Sequence, residues 1–317
     1  MRFGFNVTIR GHLGHAPAIA AMTERGEALG FTHVAIPDHV VIPRSIASTY
    51  PYSQSGKMAM ANDGHCMEPL TIMAWMAAQT RKLRLLTSVM VVPHRPALYT
   101  AKVISTLDTL TNGRVTLGVG AGWMDEEFQA LGVPPFAERG KVTDEYLDAF
   151  KVLWTEHDPR FDGQYVKFHD IAFLPKPVQK PHLPIWVGGE SPAALRRTAR
   201  IGDAWYPIGV NPQFTLNTFD RLKAGIGRLH AEAEKIKRDP ASIAVTYWAP
   251  WYKEGNTVTT DDGQRQLFTG TDAQVVEDIL RFKEMGIHDL LFSFHRADLE
   301  QSLAAMDRFA SEIMSKI

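Results

Sequence analysis

Short apolar, β-branched runs alternate along this chain with longer stretches of helical period, and the order does not lapse from one end to the other. The runs read as strands at RFGFNV (2–7), HVAIPD (33–38), LRLLTSVMV (83–91), VTLGVGA (115–121), PIWVGG (184–189), DAWYP (203–207), IAVTYWAP (243–250) and DLLFSFH (289–295). Strands separated by helices pair in parallel and need apolar cover on both faces, which such continuous apolar runs supply. Helix boundaries are marked as well. Leu98, Ala101, Ile104, Leu107 and Leu110 form a stripe that ends at Asn112-Gly113. Ser191 and Pro192 open a helix that closes at Gly202, and Thr271 and Gln274 form a capping box before a stop at Gly286. Eight βα units closing on one another make an α/β fold of the (β/α)8 type, the TIM barrel, with an open doubly wound sheet as the alternative. A barrel takes about 250 residues or more as one unit, so all 317 residues are read as a single domain. Three stretches interrupt the rhythm: 40–68 after strand two, 157–183 before strand five, read as a hairpin plus a proline-rich connector, and 251–270 after strand seven. The first and third lie on the C-terminal face, where barrel active sites form, and are candidate lids.

Composition narrows the function. With 45% hydrophobic and 22% charged residues the chain has a globular balance, and a formal net charge of -1 without a basic run argues against nucleic acid. No stretch approaches the roughly 18 uninterrupted apolar residues of a membrane span, and the start MRFGFNVTIRGHLG lacks a leader's apolar core, so a cytoplasmic protein is expected. The single cysteine, Cys66, excludes an internal disulfide and any multi-cysteine metal site; it reads as a structural thiol rather than a nucleophile. No metal is expected, because strand one carries no HxH pair, HExxH is missing, and His12 and His15 sit in a glycine-rich loop. A metal-dependent barrel hydrolase is therefore the distant alternative.

Candidate site residues are the polar or special ones at strand C-termini: Asn6, Asp38-His39, Ser88, Gly120-Ala121-Gly122, Gly188-Gly189-Glu190-Ser191, Tyr206 and His295-Arg296. Gly188 and Gly189 run straight into a helix start. That either cradles a phosphate on free N–H groups or is an ordinary turn. GVGAG (118–122) spaces its glycines two and two, unlike a dinucleotide fingerprint, and reads as a flat slot beside the backbone or as a structural turn. His39 is either a general acid or base tuned by a neighbouring carboxylate, or a satisfied structural histidine. Thr87 and Ser88 place two hydroxyls in an otherwise apolar strand.

Three segments together resemble the bacterial luciferase-like oxidoreductases, and within them a group described as coenzyme F420-dependent. They are TSVMVVPHRPALYTAKVISTLDTLTNGRVTLGVGAGWMDEEFQALG (87–132), ERGKVTDEYLDAFKVLW (138–154) and PKPVQKPHLPIWVGGESPAALRRTARIGDAWYP (175–207). The resemblance implies a TIM barrel, bound FMN or F420, often a homodimer, and hydride transfer or oxygen activation on a small organic substrate. Carried over, the acidic-His pair falls on Asp38 and His39, with His39 catalytic. The phosphate loop falls on Gly188 and Gly189, continuing to Glu190 and Ser191. The strand-three bulge falls on Thr87, Ser88 and Val89, where the resemblance implies a cis Ser88–Val89 peptide against the ring. Asn6, Gly120 and Gly122 complete the implied cofactor site, and Trp123, Trp186, Trp205, Tyr206 and His295 the substrate pocket. One departure matters: a branch that oxidises sugar phosphates has a glutamate after the strand-four glycines, where this chain has Trp123, so that substrate is not expected. Asp-His and Ser-Val look more like the F420 users. FMN, reduced by a separate reductase, is the second reading, and a non-catalytic flavin-binding barrel the third.

Overall fold

The computed structural model describes residues 1–58 and 64–317. Eight parallel strands close a ring: β1 Arg2–Asn6, β2 His33–Ile36, β3 Arg84–Thr87 resumed at Met90–Val91, β4 Val115–Gly120, β5 Ile185–Gly188, β6 Ala204–Tyr206, β7 Ala244–Ala249 and β8 Asp289–Phe292. Each pairs with its neighbours in order, and β1 closes against β8 with Phe3 opposite Leu290. The open-sheet alternative is excluded by that closure. Helices α1 Ala16–Ala28, α2 Pro69–Gln79, α3 Ala97–Leu110, α4 Asp125–Leu131, α5 Arg139–Thr155, α6 Pro192–Ile201, α7 Phe219–Lys235, α8 Asp272–Glu284 and α9 Leu299–Glu312 surround it. β4 alone is followed by two of them, α4 and α5, before the next barrel strand. The signalled boundaries are present: Asn112 and Gly113 turn left-handed after α3, Ser191 caps α6, and Thr271 and Gln274 make their reciprocal bonds.

Alternation along each strand builds two cores. Val115, Leu117 and Val119 of β4 face the helices and join the large outer core, which includes Phe5, Leu85 and Phe292. The inward residues Ala35, Leu86, Trp186, Ala204, Tyr206 and Leu291 form a separate cluster inside the ring, with Val89 and Trp248 against it. One inward position of β4 is bare because the neighbouring strand passes close: a Cβ on Gly118 would lie 2.0 Å from the Thr87 carbonyl oxygen. The interior is thus filled, and a ligand must sit on top of it. The insertion before β5 holds the expected hairpin, Phe161–Asp162 antiparallel to Lys167–Phe168, and cis bonds at Leu174–Pro175 and Lys180–Pro181. The insertion after β7 is tied by Lys253–Glu254 pairing with Thr269–Gly270. Part of the candidate lid after β2, residues 59–63, lies outside the described residues. Among the described residues, no helix is long and apolar enough to cross a membrane, and no three His, Cys, Asp or Glu side chains gather as a metal site requires.

Candidate functional site

At its C-terminal end β3 breaks between Thr87 and Met90, and the Ser88–Val89 peptide is cis. The two hydroxyls of this strand have different fates. Thr87 Oγ1 donates to the Gly118 carbonyl (2.7 Å) inside the barrel wall, so this fully buried side chain does not face a ligand. Ser88 Oγ and Tyr206 Oη share a hydrogen bond of 3.0 Å at the mouth. Val89 fills the notch left by the glycines of β4 and β5, since a Cβ would lie 2.7 Å from its methyl at Gly120 and 2.9 Å at Gly188. The glycines therefore make room for the bulge rather than leaving an open slot.

Beside the bulge, Asp38 is spoken for. Its carboxylate accepts from Val91 N (2.8 Å) and from both Nη atoms of Arg95 (2.9 and 2.8 Å), and its side chain has no exposed surface. Burial alone would lift this carboxyl, but the Arg95 guanidinium holds it below the usual range. Asp38 thus pins the strand just after the bulge, and a direct role towards a ring is not what its geometry provides.

His39 is buried, and its Nδ1 lies 2.7 Å from Glu127 Oε2. A carboxylate only accepts, so Nδ1 carries the proton, and Nε2 is the ring nitrogen with no partner among the described residues. Glu127 also accepts from Val40 N (2.7 Å) and Val41 N (3.2 Å) through Oε1. Burial opposes its charge, but the hydrogen bond from His39, the nearby imidazoles of His39 and His94, and the Val40 N–H together keep its carboxyl below the ordinary value. The carboxylate that orients His39 therefore comes from α4, not from Asp38. Its neighbour Glu126 accepts from Ala47 N (2.6 Å) and Ser48 N (3.0 Å), so α4 also holds the segment after β2. In sequence, Asp125-Glu126-Glu127 reads only as an acidic first turn suited to the helix dipole, and Glu127 goes unnoticed. Cys66 Sγ donates to the His39 carbonyl (3.2 Å); burial pushes its thiol up to about 11, which fits a structural role.

Across the mouth, Gly189 adopts φ +97°, its carbonyl receives the Trp205 indole N–H (2.9 Å), and Ser191 Oγ caps Ala194 N. Two arginines reach the same wall. Arg197 bonds Asp144 (2.6 Å) and the Gly140 carbonyl (3.0 Å). Arg139 bonds only carbonyls, Gly122 (3.2 Å) and Phe136 (3.0 Å), lies 3.9 Å over the Phe136 ring, and has no carboxylate at ion-pair distance among the described residues. Sequence reading finds neither, because they arrive from α5 and α6 with no motif linking them. Glu190 turns away: it accepts from Ile208 N (2.8 Å) and Asn211 Nδ2 (2.7 Å), and burial pushes its carboxyl up to about 7.

These walls enclose a cavity of about 680 Å³. Asn6, Asp38, His39, Ser88, Val89, Gly120, Gly122, Trp123, Gly188, Gly189, Ser191, Tyr206 and His295 all line it, as their strand-end positions foretell. Trp205 does not. As the residue before Tyr206 its side chain points outward, fully buried against the outer core, where its indole sits 3.0 Å from a Cβ placed on Gly225 of α7. Trp186 is likewise not at this wall; it lies in the interior beneath Tyr206, with ring centroids 5.7 Å apart. Tyr50 of the segment after β2 covers Trp123 edge-on at 5.0 Å and makes a roof. His295 Nε2 lies 3.1 Å from the Asn6 carbonyl, and burial pushes its pKa down to about 4, so it is a neutral donor at neutral pH. Asn6 Oδ1 and Trp248 Nε1, both at this wall, are buried without hydrogen-bond partners among the described residues. Such groups call for a ligand or water.

The match to known proteins agrees with this arrangement. Residues 1–250 match the luciferase-like monooxygenase family. An FMNH(2)-dependent dimethylsulfone monooxygenase of Pseudomonas putida is 34% identical over 268 residues, covering 72% of this chain and 73% of that one. Among solved structures, an F420-dependent secondary alcohol dehydrogenase bound to an F420–acetone adduct superposes with a TM-score of 0.74 at 18% identity, covering 100% and 99% of the two chains. The oxygenating constituent of 3,6-diketocamphane monooxygenase of Pseudomonas putida, in complex with FMN, does so with a TM-score of 0.72 at 16% identity, covering 100% and 99%. With four fifths of its length matched and the barrel, bulge and mouth cavity in place, this oxidoreductase belongs to the luciferase-like monooxygenase family.

Proposed function

We propose that the protein binds reduced FMN across the barrel mouth and oxygenates a small organic substrate. The observation that carries this reading is the division of the cavity: a cation and a helix start at one end, a glycine-supported bulge in the middle, and His39 at the side. The residues fit a flat ring with a phosphate arm. Arg139, Gly189 and Ser191 would hold the phosphate at the start of α6. Ser88 and Val89 would support the ring, and the partnerless Asn6 Oδ1 and Trp248 Nε1 offer it an acceptor and a donor. Reduced flavin supplies two electrons to dioxygen, so that one oxygen atom enters the substrate and the other leaves as water. The chain's own part is to orient and to keep water out. Glu127 holds the proton on His39 Nδ1, which leaves Nε2 free to take a proton at the reacting edge. Trp123 and Tyr50 roof the site.

FMN takes precedence here over F420, the first reading from sequence. The 34% identical relative is FMNH(2)-dependent, and among the described residues the groove that continues past Ser191 is lined by one cation, Arg139, beside buried Glu190. An acidic tail gains little there. The F420 reading keeps support from Asp38-His39, from Ser88-Val89 and from the likeness to the alcohol dehydrogenase. A homodimer and a separate reductase belong to the same proposal, and Trp75, Tyr99 and Leu110, exposed on α2 and α3, would suit a second copy. Titration of the apoprotein with FMN, reduced FMN under nitrogen, and F420, followed by fluorescence, tests the reading. FMN binding is expected, weakened about tenfold or more by Arg139→Ala, while riboflavin, lacking the phosphate, changes little. Binding of F420 alone transfers the function to hydride transfer, and binding of neither defeats both readings.

A further inference from the structure

Arg10 is the second cation at the cavity wall without a carboxylate among the described residues, and it stands far from the first. It follows β1, whereas the Gly189–Ser191 loop follows β5, and in a closed ring of eight strands those two lie diametrically opposed. Thr8 fixes its backbone, donating Oγ1 to the Arg10 carbonyl (2.9 Å) and accepting from Arg10 N (3.3 Å). Its guanidinium is half-buried and, among the described residues, bonds only the weak acceptor Met58 Sδ (3.0 Å). The positive field reaches the aromatic roof and the His39 side: Arg10 opposes the burial that raises both the Tyr50 hydroxyl and the Cys66 thiol. Among the described residues, the carboxylates at this end of the cavity already have partners. Asp38 faces Arg95, Glu127 faces His39, and Glu190 is turned towards Ile208 and Asn211. A guanidinium without a carboxylate among the described residues, on a wall shared with Tyr50, Trp123 and His39, selects for a ligand with an apolar body and an anionic head.

We infer that Arg10 is a specificity-determining residue, and that the substrate is a small organic anion whose carboxylate, sulfinate or sulfonate pairs with it. This rests on the proposed function, in which the opposite end of the cavity takes the cofactor's phosphate. The experiment is calorimetric titration of the FMN-loaded protein with acids and their neutral isosteres: phenylacetate against phenylacetamide, benzoate against benzamide, and methanesulfonate against dimethyl sulfone. At least one acid is expected to bind about tenfold or more tightly than its partner. Arg10→Ala and the length-preserving Arg10→Gln abolish that preference, Arg10→Lys keeps part of it, and FMN affinity moves less than about twofold because the phosphate lies across the barrel. The inference is overturned if no acid is preferred, or if the variants weaken acid and isostere alike. Should FMN fail to load, the proposed function fails on its own. The same titration on the apoprotein then decides Arg10, since an acid bound elsewhere ignores the substitution.

Discussion

At the pair His39–Glu127 one buried carboxylate decides which imidazole nitrogen is left free. His39→Ala is expected to cut turnover about a hundredfold or more, the scale of a lost general acid or base, with FMN affinity within about twofold. Unchanged turnover would remove His39 from the catalytic role. Glu127→Gln is the sharper test. Its amide oxygen can still accept from Val40 N, but its NH2 then meets Nδ1, so the neutral imidazole must carry its proton on Nε2. Turnover should fall as far as in His39→Ala, and 15N spectra should report the exchanged tautomer. A variant that keeps both the original tautomer and full activity would assign Glu127 to the backbone of Val40 and Val41 alone.

The bulge of β3 depends on what its neighbours lack. A methyl on Gly118 would lie 2.0 Å from the Thr87 carbonyl oxygen, a backbone atom that cannot step aside without moving the bulge. Gly118→Ala is therefore expected to cost about 1–3 kcal/mol, read as a lower urea midpoint, and to weaken FMN binding. Gly227, exposed within α7 with nothing near its Cβ position, is the opposite case. Gly227→Ala should add about 0.5–1 kcal/mol and leave binding alone; equal effects at the two sites would refute the packing account. The same contrast explains what the sequence made legible. Strands, caps and the bulge rest on local period and on residue types that turns and caps demand, so the barrel and most strand-end residues of the mouth could be read directly. Trp205 was misplaced because β6 is only Ala204–Tyr206, and in so short a strand one residue separates the cavity from the outer core. Glu127, Arg139 and Arg197 stayed hidden because helices deliver them over distances no local pattern spans. Asp38 does reach the cavity wall, but the partner that holds its carboxylate, Arg95, lies 57 positions on, beyond any local pattern.

Buried titratable groups at the two ends of the barrel couple its stability to pH in opposite senses. His33, at the start of β2 against Trp186, and His295, beyond β8, are both pushed down to about 4, chiefly by burial, from an ordinary value of 6.5. Between those values the unfolded chain takes up protons that the folded chain refuses, so stability drains away as pH falls from 6.5 towards 4. The slope is at most about 1.4 kcal/mol per pH unit for each histidine. Glu190 works the other way. Burial pushes it up to about 7 from 4.5, so the folded chain keeps a proton that the unfolded chain releases, and stability falls as pH rises through that interval. From 4.5 to 6.5 these two histidines outweigh Glu190; of the three, only Glu190 still acts above 6.5, until about 7. The urea midpoint should therefore climb from pH 4.5, peak near 6.5 and dip slightly by pH 8. His295→Gln should reduce the acid-side slope, whereas Glu190→Gln should remove the dip and steepen the climb, because the opposing carboxyl is gone. A wild-type midpoint that stays flat between pH 4.5 and 6.5 would mean that the barrel's two ends admit water to these imidazoles. The closed mouth proposed for the chemistry would then not hold.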